Sequence, residues 1–239
     1  MVTEHSIKSY DEELEHLSKA IAQMGGLAEG QLSSAIQAVA KRDSDLASRV
    51  VSQDARVDEL EQEVDALSLR MLALRQPVAV DLRAIVSSIK IASDIERIAD
   101  YAANVAKRAM ILNSMPPVKP VSAVPRMGRL VQEIFKEVLD ALVERDADKA
   151  LEVWKRDEEV DDMYTSIFRE LITYMMEDPR TITACTHLLF IAKNIERIGD
   201  HATNIAELIY FLVHGKPLKG ARPKKDTTTT THDFSSEET

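Results

Sequence analysis

A single cysteine, Cys185, stands in the 239 residues. The chain can therefore build neither an intramolecular disulfide nor a thiolate metal cage, and a reducing compartment suits it. Glycine (7) and proline (8) are scarce and aromatics make up only 5%, too few turn-formers and ring side chains for a β-sandwich or a Rossmann sheet. With 45% hydrophobic residues, the composition also excludes a disordered chain and supplies a sizeable core. Long apolar runs are missing. Residues 182–192 are broken by Thr183, Cys185, Thr186 and His187 and are too short to cross a bilayer. The opening residues, MVTEHSIKSYDEELEHL, are polar and charged, so no secretory leader is expected and a soluble cytoplasmic protein is. Positive charge is in deficit as well: 30 Lys and Arg face 40 Asp and Glu, for a formal charge of −10. Such a chain makes a poor coat for nucleic acid, whose binding rests on neutralising phosphates; cations or a basic partner suit it better. No P-loop, kinase motif, Rossmann fingerprint, nucleophile elbow or HExxH is present, so nothing in the motifs points to catalysis.

What the chain does have is a unit written twice. Residues 91–107, IASDIERIADYAANVAK, align without a gap on 191–207, IAKNIERIGDHATNIAE, with 10 of 17 identical at an offset of 100. Upstream, 43–58 matches 146–161 at 7 of 16 with an offset of 103. The three-residue difference falls near Gln76-Pro77 and Asp178-Pro179, where a loop absorbs it. Repeats of about a hundred residues are far longer than solenoid units and mark a tandem domain duplication.

Each half reads as three helices. Apolar residues recur helically over 7–40, and a break falls at 41–43. Asp43 or Ser44 caps the next helix, because a short polar side chain satisfies a free amide there. That helix runs to about Leu74 and stops before Pro77, since the residue before proline avoids the helical basin. The third begins around Val80 and ends before Met115. Its Ile91, Ile95, Ile98, Ala102, Val105 and Ala109 keep the alternating four-and-three spacing of a bundle seam. The second half repeats the plan, with breaks at Arg145-Asp146, at Asp178-Pro179 and after His214-Gly215. The expected organisation is all-α, two tandem three-helix bundles over 1–114 and 126–215, a proline-rich linker over 115–125, and a disordered tail over 216–239.

Any chemistry belongs to acidic pairs four residues apart: Asp54/Asp58 and Glu96/Asp100 in the first half, Asp157/Asp161 and Glu196/Asp200 in the second. One helical turn separates the members of each pair, so they project from one face about 6 Å apart. Asn104 and Asn204 prolong the third-helix stripes. Glu61 prolongs the second-helix stripe, where the other half has Tyr164. Two neighbouring helices would then offer four oxygen ligands per half to a hard ion such as magnesium, manganese or iron, with zinc a further candidate. The ordinary alternative is a solvated acidic face. At 100° per residue Glu96 and Asp100 turn away from the apolar seam, which places both at the bundle surface, within reach of Arg97 and, in the other half, Arg197.

Other features carry less. Glu13-x-x-His16 is half of a di-iron signature that needs two such pairs, so His16 reads as a surface histidine. His201 beside Asp200 is a candidate ligand without a counterpart, since Tyr101 holds the equivalent place. Cys185 reads as core, Met175 and Met176 as packing, and Met24-Gly25-Gly26 as a local break.

The duplicated ERI(A/G)D cores at 96–100 and 196–200, RQPVAVDLR at 75–83, MGGLAEGQLSSAI at 24–36 and TYMMEDPRTI at 173–182 resemble the PhoU family over nearly the whole chain, from about residue 5 to 215. The resemblance implies two tandem three-helix bundles in a cytoplasmic, homodimeric negative regulator of the phosphate-starvation regulon and of phosphate uptake. It implies no enzymatic turnover. Such a protein would link the phosphate-specific ABC transporter to a PhoR-like membrane sensor histidine kinase, would touch the membrane only through those partners, and would not bind nucleic acid. The family's E(D)xxxD motifs, which hold metal clusters, map to Asp54/Asp58, Glu96/Asp100, Asp157/Asp161 and Glu196/Asp200. From the residues alone, two further classes stay open: a metal-dependent carboxylate enzyme and a purely structural bundle. An oxidase site needs a closed pocket, so whether the stripes face solvent separates the classes.

Overall fold

The computed structural model describes residues 2–118 and 122–220. Among these, all regular structure is helical. The first half folds as α1 (Val2–Lys41), α2 (Ser44–Arg75) and α3 (Val80–Asn113), the second as α4 (Ala123–Glu144), α5 (Ala147–Lys155), α6 (Asp157–Glu177) and α7 (Ile182–His214). Helices α5 and α6 together take the place of α2. A tightened turn at Arg156 separates them, and its guanidinium binds Glu137 of α4 at 2.7 Å and Glu159 at 3.5 Å. The result is two three-helix bundles.

Short acidic caps set the boundaries. Asp43 accepts a hydrogen bond from the amide of Leu46 at 2.8 Å, and its repeat counterpart Asp146 accepts from Asp148 and Lys149 at 2.9 and 3.0 Å. Each cap satisfies amides that the first helical turn leaves free. The residues just before the caps, Arg42 and Arg145, both take left-handed backbone, with φ of 54° and 53°. Arg42 then reaches back to donate to the carbonyls of Leu112 and Asn113 at 2.9 and 3.1 Å, closing the C-terminal end of α3 where a cation is favoured.

The seam residues Ile91, Ile95, Ile98, Ala102, Val105 and Ala109 are all at most 1% exposed, and Ile191, Ile195, Ile198, Ala202 and Ile205 repeat the pattern in α7 at 0%. Helices α3 and α7 lie against each other in antiparallel sense. Asp94 meets His201, Tyr101 meets Arg197 and Arg108 meets His187, so the two bundles share one core. Helices α1 and α4 form the second crossing between the halves. A Cβ added at Gly128 would lie 2.3 Å from Ile36 Cδ1, and one at Gly25 would lie 2.7 Å from Leu139 Cδ2. This overturns the break expected at Met24-Gly25-Gly26: α1 runs through unbroken, and Gly25 packs against the end of the Leu139 side chain of α4. Within the expected linker, α4 already begins at Ala123, and 119–121 lie outside the described residues. So does the tail from 221 onward.

Candidate functional site

In the first half the predicted side chains face one another across α2 and α3, and all four are half-buried. Burial holds the Asp54 carboxyl above the usual carboxylate range, with Asp100 and Asp58 adding repulsion and Lys107 opposing it. Glu96 is raised in the same way, by burial first, then by Asp100, and by Asp58 and Glu61. Glu61 joins the set, raised by burial and then by Asp65 and Asp58. Five carboxylates from two helices thus repel one another. Arg97 is the nearest relief, at 3.4 Å from Glu96 and 3.3 Å from Asp100. The Oδ1 atom of Asp54 is buried without a hydrogen-bond partner, a cost a native structure seldom leaves uncovered.

The second half is built differently. Asp157, Asp161 and Glu196 are only 3%, 3% and 5% exposed, while Asp200 is half-buried. The expectation that these stripes lie on the bundle surface fails here. At the crossing with α6, α7 has Gly199 where α3 has Ala99, and a Cβ there would come within 3.3 Å of Val160 Cγ1. The buried groups are met from within. Lys193 donates to Glu196 Oε1 at 2.9 Å and stands 4.8 Å from the ring centroid of Tyr164. Thr203 donates to Asp157 Oδ1 at 3.1 Å. Glu196 remains above the usual range, by burial first, although the Lys193 hydrogen bond pulls it down, and its Oε2 is buried without a partner.

Sequence reasoning passed over Lys193, Thr203 and Lys107. The signal was present in the comparison of the repeats, since Ser93, Ala103 and Glu207 hold the equivalent places. It also passed over Asp94, which accepts from His201 at 2.7 Å and from Asn204 at 3.2 Å. His201, the candidate ligand, is thus bound to the opposite half. His16 pairs with Glu63 at 3.0 Å on the surface, and Cys185 is buried in the core.

As an ion-holding arrangement, the donor set is all oxygen, suited to a hard cation, and buried carboxylate oxygens stand without a partner at Asp54 and Asp65 in the first half and at Glu196 in the second. Among the described residues, however, no three acidic, histidine or cysteine side chains gather closely enough to form a metal-holding group. The rows face each other without converging.

The family model of the PhoU domain matches residues 21–109 and 124–209, one match on each repeat. A Caulobacter vibrioides protein named phosphate-specific transport system accessory protein PhoU homolog is 54% identical over 226 residues, which span 94% of this chain and 98% of the relative. A Rhizobium meliloti protein of the same name is 48% identical over 95% of this chain and 96% of its own length. The crystal structure of PhoU from Pseudomonas aeruginosa superposes with a TM-score of 0.84 at 42% identity, covering 87% of this chain and all of that one. That of the phosphate transport system regulatory protein PhoU from Streptococcus pneumoniae gives 0.81 at 28% identity, over 88% and 99%. Repeat structure, helix order and sequence agree over nearly the full length, and the chain belongs to the PhoU domain family.

Proposed function

We propose that this chain is an accessory protein of a phosphate-specific transport system, acting by contact rather than turnover as a brake on phosphate-starvation signalling. The carrying observation is the match, at 54% identity over 98% of its length, to a relative named phosphate-specific transport system accessory protein PhoU homolog. In this reading a cytoplasmic homodimer docks on the ABC transporter and on a membrane sensor histidine kinase, restraining the kinase and limiting uptake when phosphate is plentiful. No helix among the described residues is long and apolar enough to cross a membrane. The net charge of −10 favours a basic docking face and disfavours bare anionic lipid. Long helices with filled cores leave their faces for other helices, the usual source of buried area in such contacts.

Metal binding belongs to the same proposal. Asp54, Asp58, Glu96 and Asp100 would hold a hard cation in the first half, and Asp157, Asp161, Glu196 and Asp200 one in the second. A cation there would neutralise repelling carboxylates and satisfy the unpartnered oxygens of Asp54 and Glu196. The first half fits better, because Lys193 and Thr203 already serve the second. The half-open first-half set lacks the closed pocket that an oxidase site needs, and the buried second-half set already carries a lysine on Glu196.

Affinity capture of the tagged protein from membranes of cells grown with and without phosphate tests the docking. Recovery of the transporter and the kinase in high phosphate is expected; recovery of neither refutes the adaptor reading.

A further inference from the structure

The antiparallel crossing of α3 and α7 leaves a groove at each end, and the internal repeat relates the two. One, of about 390 Å³, is lined by Asn104, Lys107, Arg108, Ile111, Phe190 and Asn194. Shifting each of these by 100 residues gives Asn204, Glu207, Leu208, Phe211, Lys90 and Asp94, and every one of them lines the other groove, of about 600 Å³. The two grooves are thus repeat equivalents that differ in charge. The Asp94 groove keeps two carboxylates, and both are engaged: Asp94 by His201 and Asn204, Glu207 by the indole N–H of Trp154 at 2.9 Å. The Arg108 groove has Asn194 and Lys107 in the places of those two carboxylates, and Arg108 where its sister has Leu208.

Two adjacent cations with no carboxylate within ion-pair distance among the described residues are out of keeping with a chain in which acids outnumber bases 40 to 30. Arg108 is also held in place. Its guanidinium carbon lies 4.1 Å from the centroid of the Phe190 ring, a cation–π contact that fixes the planar fork while leaving its edge for an oxyanion. One Nη approaches His187 Nδ1 at 3.4 Å. Asn104 and Asn194 bring amide donors from the two walls, and the volume suits a small solute. Asp54 lies within Coulombic reach of Lys107 and is the carboxylate that an anion here would compete with.

We propose that the Lys107–Arg108 groove binds an oxyanion of the phosphate type, either the free ion or a phosphate ester presented by a ligand or lipid headgroup. Arg108 supplies the bidentate contact, Lys107 the second positive charge, and the two asparagines the neutral donors. Binding here is a property of the purified chain and stands apart from whether the protein brakes a kinase.

The test titrates inorganic phosphate into the full-length protein at fixed ionic strength, with chloride as the balancing anion, and reads both calorimetry and the imidazole resonances. Free of anion, His187 titrates below the usual histidine range, through burial and then the charge of Arg108; a bound oxyanion moves it upward. The informative variant is Lys107→Glu with Arg108→Leu, which installs the pair the sister groove already carries on the same kind of helix. Circular dichroism checks that it folds, and Arg108→Lys, which keeps the charge but removes the fork, serves as a second variant. Saturable binding that weakens at least tenfold in the double variant and measurably in Arg108→Lys supports the site. Retention on phosphatidylglycerol vesicles but not phosphatidylcholine vesicles, without binding of the free ion, supports it with a headgroup as the source. Absence of binding in both arms, equal displacement by chloride, or unchanged binding in the folded double variant overturns it.

Discussion

Replacing Gly128 by alanine tests whether the two bundles are locked together at the α1–α4 crossing. The new methyl would lie 2.3 Å from Cδ1, 2.8 Å from Cγ1 and 3.0 Å from Cγ2 of Ile36. A single flexible tip could swing aside, but here the whole side chain is in the way, and at 4% exposure it has no solvent to retreat into. Overpacking of this kind costs about 1–3 kcal/mol, offset by the roughly 0.5–1 kcal/mol that a helix gains when glycine becomes alanine. The net expectation is a loss of about 0.5–2 kcal/mol, or a Tm lower by roughly 1–8 °C for a chain of this size. Gly30→Ala is the matched control, because nothing lies within 4 Å of its added carbon; it should raise stability by about 0.5–1 kcal/mol. In a double-mutant cycle, Ile36→Ala empties the space the new methyl enters, so the pair should couple by at least about 1 kcal/mol. Thermal and denaturant unfolding supply the readout. If Gly128→Ala proved as stable as Gly30→Ala, the close α1–α4 crossing would be wrong.

The remaining predictions concern the carboxylates and the contact between halves. Because folding raises the Asp54 pKa, the folded chain holds that proton more tightly than the unfolded one. Its contribution is fully present below the ordinary carboxylate pKa and is lost as pH rises through the raised value. Asp54→Asn should therefore gain about 0.2–0.5 kcal/mol per relieved acidic neighbour over wild type at pH 7, and the gain should vanish near pH 4 in urea melts. Replacing Asp100 and Asp200 together by asparagine should leave helicity intact, with stability changed by no more than about 0.5 kcal/mol, yet lower the metal retained after chelation and reloading; unchanged metal by elemental analysis would make the stripes ordinary acidic faces. Asp94→Ala removes the acceptor shared by His201 and Asn204 and should cost about 1.5–3 kcal/mol, the range for hydrogen bonds to a charged group, as measured by equilibrium unfolding.

The helices were legible because their signals are local: Asp43 and Asp146 as caps, Pro77 and Pro179 as stops, and an isoleucine–alanine seam written twice. The acidic pairs were legible for the same reason. What could not be read from either repeat alone was how closely neighbouring helices approach. The second acidic face is covered while the first stays half-open, although the same pairs are written in both repeats. Gly25 looked like a helix breaker because its partner Leu139 lies 114 residues away. The charge reversal between the two grooves required knowing that α3 and α7 cross in antiparallel sense, which places residues 107 and 190 on one rim. Long-range packing, more than local propensity, set the limit of the sequence reading.

The claim that this chain restrains phosphate-starvation signalling is tested most directly by removing it. Expression of a starvation-induced reporter is measured in cells lacking the protein, grown in abundant phosphate, and compared with cells carrying the intact chain. The reporter is expected to be switched on without the protein and repressed again when it is restored. A reporter that stays repressed in the deleted cells would contradict the account.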